Sequence, residues 1–304
     1  MTRLAHSLAA STLALCAAMP ALAQSAPDYG QVEIRTTQLA PDFWTLEGAG
    51  GRISVLAGPD GILLVDSQFA PLTDKLVAAI RRISDKPIRF LVDTHVHPDH
   101  VGGNENFARL GALIFARDQL RWRLQHPAAA ADGTPVQPAS EQALPVVTYD
   151  APLAIHLDGE DVRLLPVEAA HTDGDTVVSF PRHDILAVGD IYRSVGYPYA
   201  DLASGGSLAG ILEGLSEIAD RAGPATKIVP GHGPIVTRAA VLAQRDLILT
   251  LRARIQALVA QGRTLDEIVA AHPTADMDAS VPQGTPATRD RFVTWVYKEV
   301  VADR

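Results

Sequence analysis

The stretch Thr94-His95-Val96-His97-Pro98-Asp99-His100 places three imidazoles and one carboxylate within six consecutive residues. If this segment leaves a β-strand, His95 and His97 point the same way, because strand side chains alternate with a period of two. The proline that follows favours a turn, which points Asp99 and His100 to a second position nearby. So many polar groups in one buried turn would stay unpaired without a metal ion. The stretch therefore predicts a metal site for two ions.

Four apolar runs of the sequence lead to potential metal ligands. The runs at 62–65, 88–92, 185–188 and 228–229 lead to Asp66, His95, Asp190 and His232, respectively. Polar side chains at strand ends meet at one rim of a sheet, where α/β folds place their sites. Because zinc takes about four nitrogen or oxygen ligands, His95 and His97 need a distant partner. The best candidates are His171 and His232, which lie near glycines that let backbone approach closely.

Short apolar runs alternate with helical patterns along the chain, which is typical of layered sheets and helices. Strands are predicted at 43–46, 53–57, 62–65, 88–92, 112–115, 162–166, 176–180, 185–188 and 227–229. Apolar residues recur at helical spacing around 72–83 and again around 248–258. The stretch from His126 to Pro145 lacks periodicity and is predicted as a long loop, either a lid or a plain surface excursion.

The N-terminus has the pattern of an export signal. Arg3 precedes an apolar run at 8–19, and the small-residue sequence Ala21-Leu22-Ala23 follows that run. We therefore predict a signal peptide at 1–23, cleavage after Ala23, and a periplasmic or secreted protein. A membrane anchor, which would need roughly 18 to 20 uninterrupted apolar residues, and a lipid anchor on Cys16 are not expected. Residues 24–304 are predicted to form a single domain with a helical C-terminal part.

The charge and the cysteine content limit which metal ligands and which binding partners the chain can have. Cys16 is the only cysteine, so signal cleavage leaves a protein whose metal ligands must be histidines and carboxylates. The formal net charge is −9, whereas a nucleic-acid-binding surface would need the opposite sign. We expect a small-molecule substrate, no nucleic acid, and no membrane contact after signal cleavage. The acidic balance keeps a secreted protein soluble, and the oligomeric state is left open.

The order of the cluster at 95–100, His171, Asp190 and His232 resembles that of the metallo-β-lactamase superfamily. The resemblance covers most of the predicted mature chain, roughly from Phe43 to His232. It implies an α/β fold of the αββα type, a four-layer sandwich with helices outside two sheets. It also implies two zinc ions per chain.

The resemblance further implies a set of ligands. The first zinc would be held by His95, His97 and His171, and the second by Asp99, His100 and His232, with Asp190 bridging them as in glyoxalase II and Asp66 orienting ligands. The lactamase subclass with a cysteine ligand is not expected, because residues 24–304 lack cysteine. Asp175 stands where glyoxalase-type members commonly have a further histidine, and a C-terminal glutathione-binding domain is not evident. Glutathione thioesters are therefore less favoured as substrates.

Together these features predict a hydrolase that cleaves an acyl bond by means of a hydroxide bridging two zinc ions. Amides such as β-lactams, lactones and thioesters are the candidate substrates. Asp99 is predicted to be both a ligand and the group that steers the proton of the hydroxide. Tyr192 is predicted to donate a hydrogen bond to an oxyanion. Tyr197 and Tyr199 are alternatives for that role, and simple packing is the other interpretation of all three.

Two other classes of function stay open at this point. The same metal pair could cleave phosphodiesters, although export and the acidic charge argue against a nucleic-acid substrate. A non-hydrolytic protein, either a di-iron redox protein or a simple metal-binding protein, could use the same ligands. The complete ligand set argues against a protein that has lost catalysis.

Overall fold

The computed structural model describes residues 28–129 and 133–302. The predicted signal peptide, residues 1–23, lies outside the described residues. Among those residues, no helix is both long and apolar enough to cross a bilayer. The prediction of a single domain over 24–304 stays a prediction.

The first half of the chain forms a sheet of seven strands, which lie side by side in the order of the sequence. Antiparallel hairpins connect the first four strands, and parallel pairing connects the last four. The parallel strands are joined through helices, as parallel pairing requires. The strands are β1 (Arg35–Ala40), β2 (Phe43–Glu47), β3 (Ile53–Gly58), β4 (Gly61–Val65), β5 (Ile88–Val92), β6 (Leu113–Arg117) and β7 (Val147–Tyr149). The helices are α1 (Thr73–Ile83), α2 (Pro98–Val101), α3 (Asn104–Arg109) and α4 (Asp118–Gln125).

The second half forms a sheet of five strands in the order β12-β11-β10-β9-β8. Its strands are β8 (Leu153–Leu157), β9 (Glu160–Pro166), β10 (Thr176–Phe180), β11 (Ile185–Gly189) and β12 (Lys227–Pro230). β11 and β12 are parallel, so their carboxyl ends lie side by side. The helices of this half are α5 (Leu208–Arg221), α6 (Arg238–Ala260), α7 (Leu265–Ala270) and α8 (Pro286–Ala302).

Each sheet buries both of its faces, as the alternation of side chains in β4 illustrates. Ile62 and Leu64 pack outward against Leu76 of α1, whereas Leu63 and Val65 pack inward between the sheets. Because successive strand residues point to opposite faces, a fully apolar run such as this one needs a layer on each side.

The second sheet repeats this arrangement. Ile185 of β11 packs inward, while Leu186 and Val188 join an outer cluster with residues of α5, α6 and α8. Between the sheets, Phe43 and Phe180 meet edge to face with ring centroids 4.7 Å apart. The layer order is helix, sheet, sheet, helix, which confirms the predicted αββα sandwich.

All nine predicted strands are present, with ends that differ by at most two residues from the prediction. β1, β7 and β8 were not predicted. The predicted loop starts at His126, directly after α4 ends at Gln125. In its described part, regular structure is confined to a short 3-10 turn at Glu141–Ala143.

Candidate metal centre

Strand ends from both sheets bring the predicted ligands together at one rim of the sandwich. The motif at 95–100 follows β5, Asp190 follows β11, and His232 follows β12. His171 lies in the connection between β9 and β10. The four segments are far apart in the sequence, so their convergence is a product of the fold.

A first group of donor atoms comes from His95, His97 and His171, which all lie within 4.8 Å of one another. His171 Nε2 lies 3.1 Å from His97 Nδ1. The His95 ring lies 4.8 Å from both other rings, measured between centroids. Three nitrogens facing a common point are the ligand arrangement of a catalytic zinc site that keeps one position open.

A second group comes from Asp99, His100 and His232, whose donor atoms also lie within 4.8 Å of one another. His232 Nε2 lies 3.1 Å from Asp99 Oδ2 and 3.4 Å from His100 Nε2. His100 is buried, whereas the side chains of Asp99 and His232 are 24% and 23% exposed. This group is therefore open to a substrate on the side of Asp99 and His232.

The carboxylate of Asp190 lies between the two groups. Its Oδ2 is 3.8 Å from His171 Nε2 of the first group and 3.4 Å from His232 Nε2 of the second. Its Oδ1 is 3.7 Å from His100 Nε2. A carboxylate whose oxygens lie near donors of both groups is in a position to contribute to both.

The ring nitrogens that face away from the centre already have hydrogen-bond partners in four of these histidines. Such partners fix the tautomer and the orientation of metal-binding imidazoles. The pairs are His95 Nδ1 with Thr94 Oγ1 at 3.0 Å, His97 Nε2 with Asp201 Oδ2 at 3.0 Å, His100 Nδ1 with Asp66 Oδ2 at 2.7 Å, and His171 Nδ1 with the Tyr199 carbonyl at 2.8 Å. The remaining nitrogen of each ring is left for the centre.

Two buried atoms at the centre, His95 Nε2 and Asp190 Oδ1, have no hydrogen-bond partner. Leaving a buried polar atom unpaired costs roughly 1–3 kcal/mol. A divalent cation at each group would satisfy both atoms and would suit the nitrogen and oxygen donors present. By this test the described residues fit a pair of metal ions.

Asp66 organises the turn that carries the motif. Its Oδ1 accepts the Thr94 backbone N–H at 2.7 Å, and its Oδ2 accepts the Thr94 hydroxyl at 2.9 Å. The same Oδ2 faces His100 Nδ1. Because the Thr94 hydroxyl donates to Asp66, it is an acceptor for His95 Nδ1. One carboxylate thus orients an imidazole in each group.

The charges of the site are set by burial and by the neighbouring groups. Burial lowers the pKa of His171 to about 4, with His97 adding to the effect and Asp190 opposing it. Burial also lowers the pKa of His100, but the carboxylates of Asp66, Asp190 and Asp99 outweigh it and raise the value to about 9. For Asp99, burial raises the pKa, and the neighbouring histidines, led by His232, lower it well below its usual range. Asp99 is therefore ionised, as a metal ligand must be.

Glycines allow the backbone to approach His100 closely. A Cβ atom on Gly231 would lie 2.4 Å from Asp190 Oδ1 and 2.6 Å from His100 Cε1, and one on Gly51 would lie 2.3 Å from the same carbon. The buried guanidinium of Arg52 donates to the Pro230 carbonyl at 3.1 Å, and its backbone N–H donates to Gly231. These contacts fix the turn that precedes His232.

Tyr192 is the one predicted site residue whose neighbours, within the described part of the chain, include none of the predicted ligands. It is 5% exposed and belongs to the outer apolar cluster of the second sheet. It also borders a cavity of about 350 Å³ together with Gln244 and Val281. Its role as an oxyanion donor stays a prediction.

Sequence reasoning did not identify Asp201 and Arg193 as parts of the site. Asp201 Oδ2 forms a hydrogen bond with His97 Nε2, although the two residues are 104 positions apart in the sequence. Arg193 Nη1 lies 3.5 Å from Asp190 Oδ2. The Asp201 contact has no local signal, because it depends on the path of the loop at 190–207. Arg193 lies only three positions after the predicted ligand Asp190, which is a signal that the sequence analysis did not use.

A cleft of about 510 Å³ opens beside His232. It is lined by residues of both halves of the chain, among them Gly50, Arg52, Val195 and Gln283. The cleft is large enough for a small organic molecule, and it leads to the exposed edge of the second ligand group.

Comparison with known proteins agrees with this geometry. The family model for the metallo-β-lactamase superfamily matches residues 48–236. The chain belongs to the metallo-β-lactamase superfamily, whose members are metal-binding hydrolases. The match includes every proposed ligand and ends before α6.

Among curated proteins, the chain is similar to two kinds of relative. It is 23% identical over 195 residues to the metallo-β-lactamase type 2 of Bacillus cereus, which covers 64% of this chain and 71% of that protein. It is 41% identical over 54 residues to a linear primary-alkylsulfatase of Pseudomonas sp., which is 17% of this chain and 10% of that protein. The chain therefore spans only a small part of the alkylsulfatase in that match.

Two solved structures have the same fold. The stereoselective inverting sec-alkylsulfatase from Pseudomonas sp. superposes with a TM-score of 0.65 at 18% identity, over 87% of this chain and 50% of that one. The metallo-β-lactamase from Pontibacter korlensis superposes with a TM-score of 0.59 at 18% identity, over 71% of this chain and 99% of that one. The chain spans half the length of the alkylsulfatase it matches.

Proposed function

We propose that this chain is a dinuclear zinc hydrolase that cleaves an acyl bond of a small molecule. The observation that carries the proposal is the pair of three-residue donor groups with the Asp190 carboxylate between them. Membership of the superfamily supports hydrolysis. The substrate class and the number and kind of ions are our proposal.

The ligand set of the proposal follows the two groups. His95, His97 and His171 would hold one ion, and Asp99, His100 and His232 would hold the other, with the Asp190 carboxylate available to both. When bound, two zinc ions would lower the pKa of a water molecule to near neutrality and would polarise a carbonyl group.

The side chains around the ions have separate tasks in this proposal. Asp99 is ionised and partly exposed, so it accepts a hydrogen bond from the attacking water and orients it toward the substrate. The cleft beside His232 receives the substrate. Arg193, 3.5 Å from Asp190, adds positive charge where negative charge develops on the carbonyl oxygen.

A second candidate activity is the hydrolysis of alkyl sulfate esters. The local identity of 41% to a linear primary-alkylsulfatase is the observation that favours it. The same two donor groups could hold the ions that such a reaction needs. Sulfate esters and acyl compounds differ in the atom that is attacked, so a substrate panel separates the two candidates.

Zinc content and turnover should be measured on the same preparation. The panel comprises a chromogenic cephalosporin, an acyl-homoserine lactone, a glutathione thioester, a primary alkyl sulfate and a bis-aryl phosphodiester. We expect two zinc ions per chain and chelator-sensitive turnover of one acyl substrate. Turnover of the sulfate alone would favour the second candidate, and a protein without bound metal would refute the dinuclear proposal.

We also propose that the protein is exported and that cleavage follows Ala23, since residues 1–23 have the pattern of a signal peptide. Cell fractionation and N-terminal sequencing of the mature protein test this. A protein that starts at Gln24 is expected. An intact N-terminus in the cytoplasm would contradict the proposal.

A further inference from the structure

His232 differs from the other histidines of the metal centre in how its ring is held. Each of the other four has a hydrogen-bond partner on the nitrogen that faces away from the centre. The contacts of the His232 ring are made through Nε2, and within the described part of the chain no hydrogen bond reaches its Nδ1. Its side chain is also partly exposed. The orientation of this ring therefore depends on how its main chain is held.

Ser194, in the loop at 190–207, holds that main chain. Its backbone N–H donates to the His232 carbonyl at 3.3 Å. Its hydroxyl oxygen lies 2.7 Å from the Pro234 carbonyl oxygen and 3.1 Å from the His232 carbonyl oxygen. Because a hydroxyl has a single proton, it donates to one carbonyl at a time, and the N–H remains for that of His232. The carbonyls on both sides of Gly233 thus have donors from one residue.

Gly233 lets the two segments approach this closely. Its φ is +88°, in the left-handed region that residues with a Cβ rarely adopt. A Cβ atom at this position would lie 2.4 Å from Ser194 Oγ. Ser194 is only 8% exposed, so water has little access to compete for the two carbonyls. The close contact between the two segments is therefore built into the backbone at Gly233.

The main chain around Ser194 is itself anchored by the C-terminal part of the protein. Gln244 on α6 donates from Nε2 to the Arg193 carbonyl at 2.8 Å. The Gly196 N–H donates to the Pro282 carbonyl at 2.7 Å. Because positions on both sides of Ser194 are held in this way, the serine can fix another segment in place.

We propose that Ser194 is a positioning residue for the second ligand group, which holds His232 Nε2 beside Asp99 and His100 through the main chain of His232. The inference rests on the proposed dinuclear function and adds a residue outside the ligand set. Removal of an outer partner of a metal ligand typically lowers metal affinity by about 10- to 100-fold. Because His232 belongs only to the second group, the loss of Ser194 should weaken the second zinc and spare the first.

Titration of zinc against a chromogenic chelator separates the two affinities. Ser194→Ala should lower the affinity for the second zinc by about tenfold and leave that for the first nearly unchanged. Ser194→Thr, which keeps the hydroxyl, should retain most of the affinity. Ser280→Ala is the control, because that hydroxyl donates to the Met277 carbonyl, and it should match wild type at both sites. If urea titrations show that Ser194→Ala does not fold, Ser194→Cys replaces it, since a thiol is a weak donor.

Backbone 15N relaxation makes the inference independent of the number of zinc ions. It is measured on the full chain before and after zinc is added. Before zinc is added, Ser194→Ala should lower the order parameters of His232 and Gly233, whereas those of residues 95–97 should equal the wild-type values. A wild type that binds only one zinc would refute the dinuclear proposal, and the relaxation result would still decide the role of Ser194.

Two results would overturn the role of Ser194. Order parameters of His232 and Gly233 that do not differ between wild type and Ser194→Ala would show that the serine does not hold this turn. An equal loss of affinity at both zinc sites would show a general loss of structure instead of the positioning of one ligand.

Discussion

Asp201 acts on the metal centre through His97, whose Nε2 lies 3.0 Å from its Oδ2. Replacing such a partner typically weakens metal affinity by about 10- to 100-fold. Asp201→Asn should therefore lower zinc affinity by at least about tenfold, as measured by competition with a chromogenic chelator. Asp60→Asn, at an exposed position, is the control. Unchanged affinity in Asp201→Asn would show that His97 needs no such support.

Gly231 is a residue at which one added carbon should disrupt donors of both Asp190 and His100. The Cβ of Gly231→Ala would overlap Asp190 and His100, so both must move. We expect loss of zinc at the second group and destabilisation of about 1–3 kcal/mol from overpacking. In Gly223→Ala the new Cβ meets only Thr226 Oγ1, at 3.5 Å, and should be tolerated. Metal analysis and urea unfolding check both variants.

The helix α5 depends on its first residues for its attachment to the segment before His171. Ser207 Oγ accepts the Gly210 N–H at 2.9 Å and donates to the Ala169 carbonyl at 2.8 Å. Ser207→Ala should lower the free energy of unfolding by about 1 kcal/mol, the usual cost of a lost N-cap.

Ser216 provides the matched control on the same helix. Its hydroxyl donates to the Leu212 carbonyl within the helix, a bond that adds little to helix stability. Ser216→Ala should leave the free energy of unfolding nearly unchanged in urea titrations. Equal losses in both serine variants would show that capping is not what Ser207 contributes.

Continuous apolar runs make the strands that are buried on both faces, such as β4 and β11, easy to predict from the sequence. β1 was missed because it is an edge strand with mostly exposed, polar side chains in Arg35–Ala40. β7 has only three residues, too few for a periodicity. Edge strands and short strands form because neighbouring strands pair with them, so their own residues do not show that they are strands.

The residues of the candidate site also differ in how well their own sequence predicts them. The motif at 95–100 is local, so its residue types and spacing alone predict a metal site. His171, Asp190 and His232 are recognisable because glycines and strand ends surround them. Asp201 carries no local signal, because it reaches the site only through the path of a loop.

At the scale of the whole molecule, His183, whose side chain is 5% exposed, joins turns of the two sheets. The nitrogens of His183 lie 2.6 Å from Asp42 Oδ1, in the turn of β1 and β2, and 2.5 Å from Glu160 Oε2, beside β8. Arg182 also pairs with Asp42. Burial raises the pKa of Asp42, but His183 and Arg182 together lower it below its ordinary value.

This cluster should make stability depend on pH in the acid range. Because the pKa of Asp42 is lowered in the folded protein, its contribution is present above the unfolded value of about 3.9 and is lost as the pH falls below it. Asp42→Asn should be less stable than wild type near pH 6, and the difference should shrink toward pH 3. Urea unfolding at several pH values measures this difference in stability. A difference that does not change with pH would show that Asp42 is not the source of the pH dependence.

The origin of the donors in two sheets has a consequence for how the protein matures. Four donors follow β5 in the first sheet, and the other three lie in connections of the second. As the chain leaves the ribosome, its first half carries neither group complete, since one lacks His171 and the other lacks His232. A metal ion can be captured at full affinity only after the second sheet has docked. Metal loading at full affinity would then follow the docking of the two sheets, and a chain truncated before His232 would lack a complete second group.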